Sequence, residues 1–388
     1  MTKANKPIPP TARLSPRQTR VLAGRLLRWY DSDKRDLPWR RTCDPYAILV
    51  SEFMLQQTQV ATVIPYFERF MAAFPTVRAL AAAPEQDVLR LWAGLGYYGR
   101  ARHLHAAARR IVEAYGGRIP PRVGDLLFLP GVGSYVAGAV ASIAFGVAAP
   151  AVDANVARVL SRLFVLTGDP ASPRVRKDLE SLAAALIPAE RPGDFNQAMM
   201  ELGARVCGAA RPLCDPCPVR DFCKAAGQGN PLDYPTAAKR PETVEVEEAL
   251  AVVRWGERYL IVQRPGDSGR YRNMWEFPHV AVGEGRRHSR KTDRISETLT
   301  AFLFESFGLK VRVDEEWAEI RHQVTHHKIR KRVFLCTLRD EEADEEAQPA
   351  GTDSLRWVTL DEIAEYPLGA PHKRILALLE ESAGLFSL

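Results

Sequence analysis

Cysteine is scarce in this sequence. Six cysteines among 388 residues are too few for a disulfide scaffold. Four of them lie between positions 207 and 223, and such a cluster points to a metal in a reducing compartment. The first ten residues, MTKANKPIPP, have no apolar core, so we expect no secretory signal. We therefore expect an intracellular protein, located in the cytoplasm or nucleoid if the source is bacterial.

Charge is missing from one long stretch, residues 126–152. Its length alone would allow a membrane span, but two prolines and four glycines interrupt it. We therefore predict a buried helix rich in small residues and no membrane partner. The net charge of +6 and pI of about 9.0 suit a polyanionic partner without requiring one.

The rest of the composition is that of an ordinary globular protein. With 46% hydrophobic and 26% charged residues, disordered and collagen-like classes are excluded, and the length predicts two or three domains. We predict a multidomain fold with a tail at 1–14, an all-α domain at 15–227, a linker at 228–245 and an α+β domain at 246–388. The helical prediction follows from apolar residues at three-four spacing, and the strand prediction from β-rich runs such as 249–255 and 259–264.

The cysteine spacing is Cys207-x6-Cys214-x2-Cys217-x5-Cys223. A zinc ribbon would show two separated Cys-x2-Cys knuckles, whereas only one is present. Unequal short loops suit a cubane cluster bound by four thiolates. Zinc and four unligated thiols remain the alternatives.

The string LPGVG at 129–133 precedes an uncharged helix. Two glycines in a turn free backbone N–H groups to meet a phosphate, and the helix N-terminus adds its dipole. The alternative is an ordinary tight turn.

Glu52 shares a helical stripe with Ile48, Leu49 and Leu55. A carboxyl group on an apolar stripe loses solvation, which favours its protonated form, and such a group can act as a general acid. The alternative is a partly exposed surface glutamate.

Asp153 precedes a helix that has Val156, Val159 and Leu160 on one face, so we predict an N-cap. A carboxylate at a helix N-terminus is expected to stay ionised. One neutral and one charged carboxyl group are the pair that glycosidic chemistry needs. The alternative is a cap with no further role.

Together, LPGVG, Asp153 and the four-cysteine loop resemble the helix-hairpin-helix DNA glycosylase superfamily, over about residues 20–225. The strings LPWR (37–40), SEFMLQQTQV (51–60) and GLGYYGRAR (94–102) resemble the adenine DNA glycosylases of the MutY type. The resemblance implies a DNA repair glycosylase that flips adenine paired with 8-oxoguanine, or with guanine, out of duplex DNA.

The resemblance also implies roles for individual residues. Glu52 would protonate the adenine, Asp153 would stabilise an oxocarbenium-like sugar, and Tyr135 and Asn155 would support this centre. Ser134 and Tyr135 follow the hairpin where endonuclease III, a lyase relative, has a lysine, so a monofunctional enzyme without a Schiff base is expected. Contacts to the flipped base or the duplex would come from Arg40, Leu55, Gln57, Tyr97, Gly131, Gly133 and Gln197.

The implied cofactor is a 4Fe-4S cluster bound by Cys207, Cys214, Cys217 and Cys223. The carbonyl groups of Leu127, Leu129 and Val132 in the hairpin are candidate ligands for a cation. The implied partner is double-stranded DNA, and we expect a monomer.

The C-terminal domain resembles a Nudix fold, which includes the string MWEFP at 274–278. Where a working Nudix box has three acids, only Glu305 is present, so nucleotide hydrolysis is not expected. In MutY-type enzymes this fold reads 8-oxoguanine through a Phe-Ser-His loop, and here Val324, Thr325 and His326 occupy that position. Two alternatives remain open: a glycosylase for another mismatch, such as thymine opposite guanine, and a catalytically silent iron–sulfur DNA-binding protein.

Overall fold

The computed structural model describes residues 14–236, 242–266, 271–284, 292–339 and 354–385. Its internal contacts divide the chain into two compact units, residues 1–83 with 99–239, and residues 84–98 with 240–388. The predicted multidomain fold, with a helical part followed by a part built on a sheet, is confirmed. The predicted domain limits stay predictions, and segment 84–98 groups with the second unit although it lies within the predicted helical range.

The first unit is built from helices joined by short loops. Its helices are α1 (Pro16–Asp33), α2 (Pro45–Leu55), α3 (Val60–Ala73), α4 (Val77–Ala82), α6 (Gly99–Tyr115), α7 (Val123–Leu126), α8 (Ser134–Phe145), α9 (Ala154–Phe164), α10 (Pro173–Leu186), α11 (Pro192–Arg205) and α12 (Lys224–Gly227), while α5 (Glu85–Trp92) groups with the second unit. Asp44 caps α2: its side chain accepts hydrogen bonds from the backbone N–H groups of Tyr46 and Ala47.

One core of the first unit lies between α1, α9, α10 and α11. Leu26, Leu160, Leu179 and Leu202 are all buried there. The strong amphipathic pattern of α9 follows from this packing, because its apolar side faces the core. The packing fixes the start of α9, where Asp153 is the N-cap.

The uncharged stretch forms the hairpin, α8 and the loop that leads to α9. Residues Val136–Ser142 of α8 are all buried, as the small-residue prediction requires. Within the described residues, no helix combines the length and apolar character needed to cross a bilayer.

The second unit is a helix–sheet–helix sandwich. Its strands are β1 (Val244–Trp255), β2 (Arg258–Gln263), β3 (Trp275–Glu276), β4 (His279–Glu284), β5 (Val311–Val324), β6 (His327–Leu338) and β7 (Leu355–Val358), and its helices are α5, α13 (Thr292–Phe307), α14 (Leu360–Ile363) and α15 (Ala370–Leu385). The strand order is β3-β2-β1-β6-β5, with β4 paired to β1 and β7 to β2. The β1–β6 pair is parallel, and the two predicted strands at 249–255 and 259–264 belong to β1 and β2, which pair as an antiparallel hairpin.

Alternation along β1 supplies both faces of the sheet. Ala249 and Ala251 pack with Leu299 of α13 on one face, whereas Leu250 packs with Ile375 of α15 on the other. The long β5–β6 ribbon ends in a turn at Thr325 and His326, which leaves that loop exposed.

Candidate active site

A cavity of about 140 Å³ lies within the first unit. It lies where α2, α8, α9 and α11 meet, so residues far apart in the sequence share its wall. The predicted site residues that line the cavity are Arg40, Glu52, Leu55, Tyr135, Asp153, Asn155 and Gln197.

Glu52 is buried, with only 4% of its surface exposed. The apolar stripe is part of a helix buried on all sides, since every α2 residue from Tyr46 to Met54 is buried. Glu52 is therefore not a surface glutamate. Burial raises the pKa of Glu52 to about 7, against the hydrogen bond donated by Tyr135, and the nearby charge of Asp153 adds to the rise.

Tyr135 is the second residue of α8, and its hydroxyl donates a hydrogen bond to Oε2 of Glu52. Burial raises the pKa of this phenol well above its ordinary value, and the neighbouring carboxylates act in the same direction. The hydroxyl therefore stays protonated and orients the Glu52 carboxyl group.

Asp153 is the N-cap of α9, as predicted. Its Oδ1 accepts the backbone N–H of Val156 at 2.7 Å, and its Oδ2 accepts Nδ2 of Asn155 at 2.9 Å. The position at a helix N-terminus predicts a lowered pKa and an ionised carboxylate. Burial has the larger effect, however, and raises the pKa of Asp153. The two hydrogen bonds oppose this rise because they favour the charged form.

Asn155 connects Asp153 to the cysteine loop. Its Oδ1 accepts Nη2 of Arg158 at 2.9 Å, and the same Nη2 donates to the carbonyl of Gly203 at 2.7 Å. Nε of Arg158 donates to the carbonyl oxygen of Cys207 at 2.8 Å. Gly203 is required here, because a Cβ at that position would lie 2.6 Å from Cβ of Asn155.

Arg40 enters the cavity beside an acid that the sequence analysis missed. Glu201 accepts a bidentate pair of hydrogen bonds from Arg35, each 2.7 Å, and one from Arg40 at 2.8 Å. Burial alone would raise the pKa of Glu201, but these hydrogen bonds outweigh it and hold the pKa at about 2. This ion pair positions the Arg40 guanidinium group at the cavity, with Gln197 also on the wall.

Gln57 and Tyr97, two of the predicted contacts to the duplex, lie in different parts of the structure. Gln57 is exposed in the loop after α2, with a left-handed φ of 56°. The buried Arg100 holds this loop, because it donates to the carbonyl groups of Met54 at 2.7 Å and of Gln56. Tyr97, with a φ of 49°, is exposed in segment 84–98 and is described with the second unit.

The hairpin presents Gly131 and Gly133 to solvent. Gly131 has a φ of 74°, and a Cβ there would lie 2.5 Å from Cβ of His103. Gly133 is the N-cap of α8, and no side chain caps this end. The first N–H groups of a helix have no partner within the helix, which is what a phosphate site requires. Of the three candidate cation ligands, the Leu129 carbonyl already accepts a hydrogen bond from the Val132 N–H at 3.1 Å.

Cys207, Cys214, Cys217 and Cys223 line one small cavity of about 30 Å³. All four are partly buried. Burial raises the pKa of Cys217 to about 11, and the other three thiolates add to the rise. Four converging sulfurs that repel one another when ionised form a donor set that suits a metal centre with thiolate ligands. Cys43 and Cys336 are not part of this set.

The loop that contains Thr325 and His326 lies at the tip of the β5–β6 ribbon. Thr325 has a left-handed φ of 54°, and its hydroxyl donates to the Val324 carbonyl at 2.7 Å. His326 is partly exposed beside His327, with ring centroids 4.1 Å apart. Glu305 of α13 is exposed.

Several polar residues of the first unit escaped the sequence analysis. Asn196 is buried and holds the loop before Asp153: it donates to the Ala149 carbonyl at 2.8 Å and accepts from the Ala151 N–H at 3.2 Å. Asn196 and Glu201 each stand beside apolar residues of α11, and this was the signal that could have found them. Arg100, Arg158 and Arg162 gave no such signal, because arginine is ordinarily a surface residue.

The hairpin, the buried carboxyl groups at the cavity and the four-cysteine loop together define a DNA glycosylase of the base excision repair class. Residues 50–185 match the HhH-GPD superfamily of base excision DNA repair proteins. Residues 249–378 match the NUDIX domain.

The comparisons with curated proteins narrow this class. An adenine DNA glycosylase of Rattus norvegicus is 38% identical, over 92% of this chain and 77% of the relative, and that of Homo sapiens is 37% identical, over 92% and 73%. A third, of Mycolicibacterium smegmatis, is 44% identical over 55% of this chain and 72% of the relative. The chain belongs to the adenine DNA glycosylase family. It is therefore an enzyme that acts on DNA, and the predicted family and enzyme class are confirmed.

A solved structure shares the helical part. The structure of a thermostable thymine-DNA glycosylase aligns with a TM-score of 0.50 and 32% identity, over 55% of this chain and 98% of that chain. Since that protein is described by a different base, the helical fold alone does not define which base is removed.

Proposed function

We propose that this enzyme removes adenine paired with 8-oxoguanine, and more slowly adenine paired with guanine, and leaves an abasic site in an uncut strand. The observation that carries the proposal is the pair formed by the buried Glu52 and the half-buried Asp153 on the wall of one cavity, with Tyr135 in contact with Glu52. Adenine as the target is supported by the family to which the chain belongs.

The adenine must leave the duplex, because its glycosidic bond is inaccessible within the stack. Arg40 and Gln197 would contact the flipped base, and the Glu201 ion pair would hold Arg40 in place. Gln57 and Tyr97 would insert into the duplex, where the strained backbone at both residues fits a role in a constrained contact.

Glu52 would supply the proton that makes adenine a better leaving group. With a pKa of about 7, a large fraction of Glu52 is protonated near neutral pH, as a general acid requires. Asp153 would face the cationic sugar, held by the Val156 N–H and Asn155. It would stabilise the oxocarbenium-like state, through a covalent adduct that water resolves with net retention.

Tyr135 would keep the reaction monofunctional. A Schiff base needs an amine at the sugar, and the residues after the hairpin are Ser134 and Tyr135. Asn155 would keep Asp153 oriented during base release.

Cys207, Cys214, Cys217 and Cys223 would hold a 4Fe-4S cluster, which when bound would cross-link the loop and supply a redox centre. The cationic residues around the loop and the hairpin N–H groups would hold phosphates without reading sequence. Carbonyl groups of Leu127, Leu129 and Val132 would bind a cation. We propose a monomer that works inside the cell.

The β5–β6 loop would read the opposite base. Oxidised guanine differs from guanine by an N7–H donor and a C8 carbonyl group. The Thr325 hydroxyl can accept from the former, and His326 lies beside it.

One assay tests the proposal. The enzyme is incubated with duplexes that carry adenine:8-oxoguanine, adenine:guanine or thymine:guanine, and abasic sites and strand breaks are measured separately. We expect abasic sites in the first two, fastest in the first, no strand cleavage and no borohydride-trapped adduct. Release of thymine instead of adenine would overturn the proposed substrate, and efficient trapping would overturn the monofunctional mechanism.

A further inference from the structure

We propose that Arg162 tunes the redox potential of the four-cysteine metal centre and slows its loss, by donating a hydrogen bond to the Sγ atom of Cys207. This inference rests on the iron–sulfur cluster of the proposed function. It assigns a residue on α9, outside the cysteine loop, to the electronic environment of that centre.

The contacts of Arg162 carry the proposal. Although charged, this residue is only 2% exposed. Its Nη1 lies 3.3 Å from Sγ of Cys207 and donates to the carbonyl of Gly208 at 2.7 Å. Nη2 donates to Ala209 at 3.0 Å, and Nε donates to Tyr234 at 3.0 Å. The backbone carbonyl of Arg162 also lies 3.5 Å from Sγ of Cys223.

The buried positive charge of Arg162 indicates that an anionic group would occupy the adjacent cavity. Among the contacts the structure provides for Arg162, the acceptors are carbonyl groups and one sulfur, and none is a carboxylate. A buried cation without an anion is costly. A cubane cluster is a net anion when its four thiolate ligands carry more negative charge than its core carries positive charge. Arg162 lines the cavity that the four cysteines share, so a cluster there would compensate the charge of the guanidinium group.

Hydrogen bonds to the ligating sulfurs are one of the factors that set the potential of an iron–sulfur cluster. A charged donor withdraws electron density from the thiolate, and therefore stabilises the more reduced form. Removing Arg162 should lower the midpoint potential and make the cluster easier to oxidise. Arg162→Lys, which keeps the charge but loses the planar fork, should give an intermediate shift.

The matched control is Arg220→Gln. Arg220 lines the same small cavity, but its side chain is 54% exposed and pairs with Asp215 at 2.7 Å, so water screens its charge. Voltammetry of the purified, anaerobically loaded proteins should show Arg162→Gln shifted to a lower potential. A tenfold change in the ratio of oxidised to reduced cluster at a fixed potential is expected, which is about 59 mV for one electron. Iron release to a chelator should be ~10-fold faster, and the control should match the wild type in both assays.

The outcomes separate the two proposals. A wild-type protein that contains zinc or no metal would overturn the proposed cluster itself. A wild-type protein with iron, and an Arg162→Gln variant with an unchanged potential, would overturn only the role of Arg162. If the variant does not load iron, the wild type decides the question: in protein labelled with ¹⁵N at the arginine guanidinium, electron–nuclear double resonance of the paramagnetic cluster should show a coupled guanidinium nitrogen. Absence of that coupling would overturn the inference.

Discussion

Glu52 is a buried carboxyl group and Asp153 a half-buried one, and their neighbours differ. Glu52 receives one hydrogen bond, from the neutral hydroxyl of Tyr135. Asp153 receives two N–H donors at the first turn of α9. Hydrogen bonds to the charged form favour ionisation, and desolvation opposes it. The donors at the start of α9 therefore favour the charged form of Asp153, which supports the proposed roles of Asp153 as the carboxylate and Glu52 as the acid.

The first prediction concerns Glu52→Gln. We expect base release in a single turnover to fall by ~10²–10⁴, because a positioned general acid is lost, while lesion duplex is still bound. In the wild type, base release should decline as the pH rises through about 7, where Glu52 loses its proton. Near wild-type base release by the variant would remove Glu52 from its role.

Although Glu52→Gln should lower activity, it should raise the free energy of unfolding above neutral pH. The folded state holds the Glu52 proton to about pH 7, and the unfolded state releases it near pH 4.5, so the wild type loses stability as the pH rises between these values. At pH 8, Glu52→Gln should therefore be more stable, by roughly 3 kcal/mol, in denaturant unfolding. Glu68→Gln on α3, where the side chain is exposed, should change neither activity nor stability.

At the scale of the element, α9 has two functions. Asp153 caps its N-terminus, and the side chains of Arg158 and Arg162 extend from it toward the cysteine loop. The apolar face that the sequence predicted packs against α1, α10 and α11. One helix thus fixes the distance between the carboxylate and the loop, so a disturbance at the loop can reach the active site through Arg158 and Asn155.

The second prediction tests this connection with Arg158→Gln. Loss of the bonds to Asn155 and Cys207 should let the Asp153 carboxylate move. Because small misplacement of a reacting group can cost ~10²-fold in rate, we expect base release to fall ~10–100-fold, while the metal content stays equal to that of the wild type. Arg69→Gln on α3, an exposed arginine over the ring of Tyr66, is the control. An unchanged rate would show that Asp153 keeps its position without the contacts of Arg158.

The elements themselves were largely predictable. The cap at Asp44, the small-residue helix α8, the cap at Asp153 and the β1–β2 hairpin depend on local signals. The hydrogen bonds of Glu201 with Arg35 and Arg40, and those of Arg158 with Gly203 and Cys207, were not predictable, because these partners lie far away in sequence and only the folded chain supplies them. The sequence also did not predict that β1 packs against helices on both of its faces. A strand buried on both faces appears in the sequence only as a continuous run of apolar residues.

At the scale of the whole molecule, the second unit contains a buried polar cluster beneath α15. His279 Nδ1 lies 3.7 Å from Glu276, and His372 Nε2 lies 3.8 Å from Glu276. Nδ1 of His372 accepts the backbone N–H of Phe277 at 3.1 Å, so the neutral ring carries its proton on Nε2 and has no lone pair there for a metal. The cluster therefore joins β3, β4 and α15 through hydrogen bonds and charge.

The third prediction concerns acid stability. Burial lowers the pKa of His279 to about 3, with Lys331 acting in the same direction and Glu248 opposing it. Below pH 6.5 the unfolded state binds a proton that the folded state does not, so stability is full above pH 6.5 and declines as the pH falls toward 3. We expect the melting temperature of the second unit to drop over this range, by ~2–4 °C for each kcal/mol lost.

His279→Gln should flatten this decline in calorimetry, since the titrating group is gone. His372 contributes in the same direction, because burial also lowers its pKa, so part of the decline should persist. Substitution of the partly exposed His326 by Gln is the control and should leave the profile unchanged. A His279→Gln variant with the wild-type acid profile would contradict the assignment.

Segment 84–98 belongs to the second unit. This grouping limits the experiments that can test the proposed recognition of 8-oxoguanine by the β5–β6 loop. Gln86 donates to the Asn273 carbonyl at 3.0 Å, and Lys373 donates to the Ala93 carbonyl at 3.0 Å. Deleting residues 242–388 would remove these partners and disturb Tyr97, which lies in the same segment. With a truncated protein, a lost preference for 8-oxoguanine could come from the missing β5–β6 loop or from a displaced Tyr97. A point substitution in the full chain separates these two causes.

The fourth prediction is that Thr325→Ala narrows the preference for 8-oxoguanine over guanine by ~5–100-fold at most, because an unpaired buried donor costs ~1–3 kcal/mol. Alanine keeps the Cβ at the left-handed φ, so the loop conformation is retained while the hydroxyl is lost. Single-turnover rates and duplex affinities are measured with each opposing base. Thr337→Ala, on the same ribbon but remote from its tip, is the control and should keep the full preference. If Thr325→Ala also keeps it, the hydroxyl does not read the lesion, and a matched loss in His326→Ala would assign the reading to the histidine.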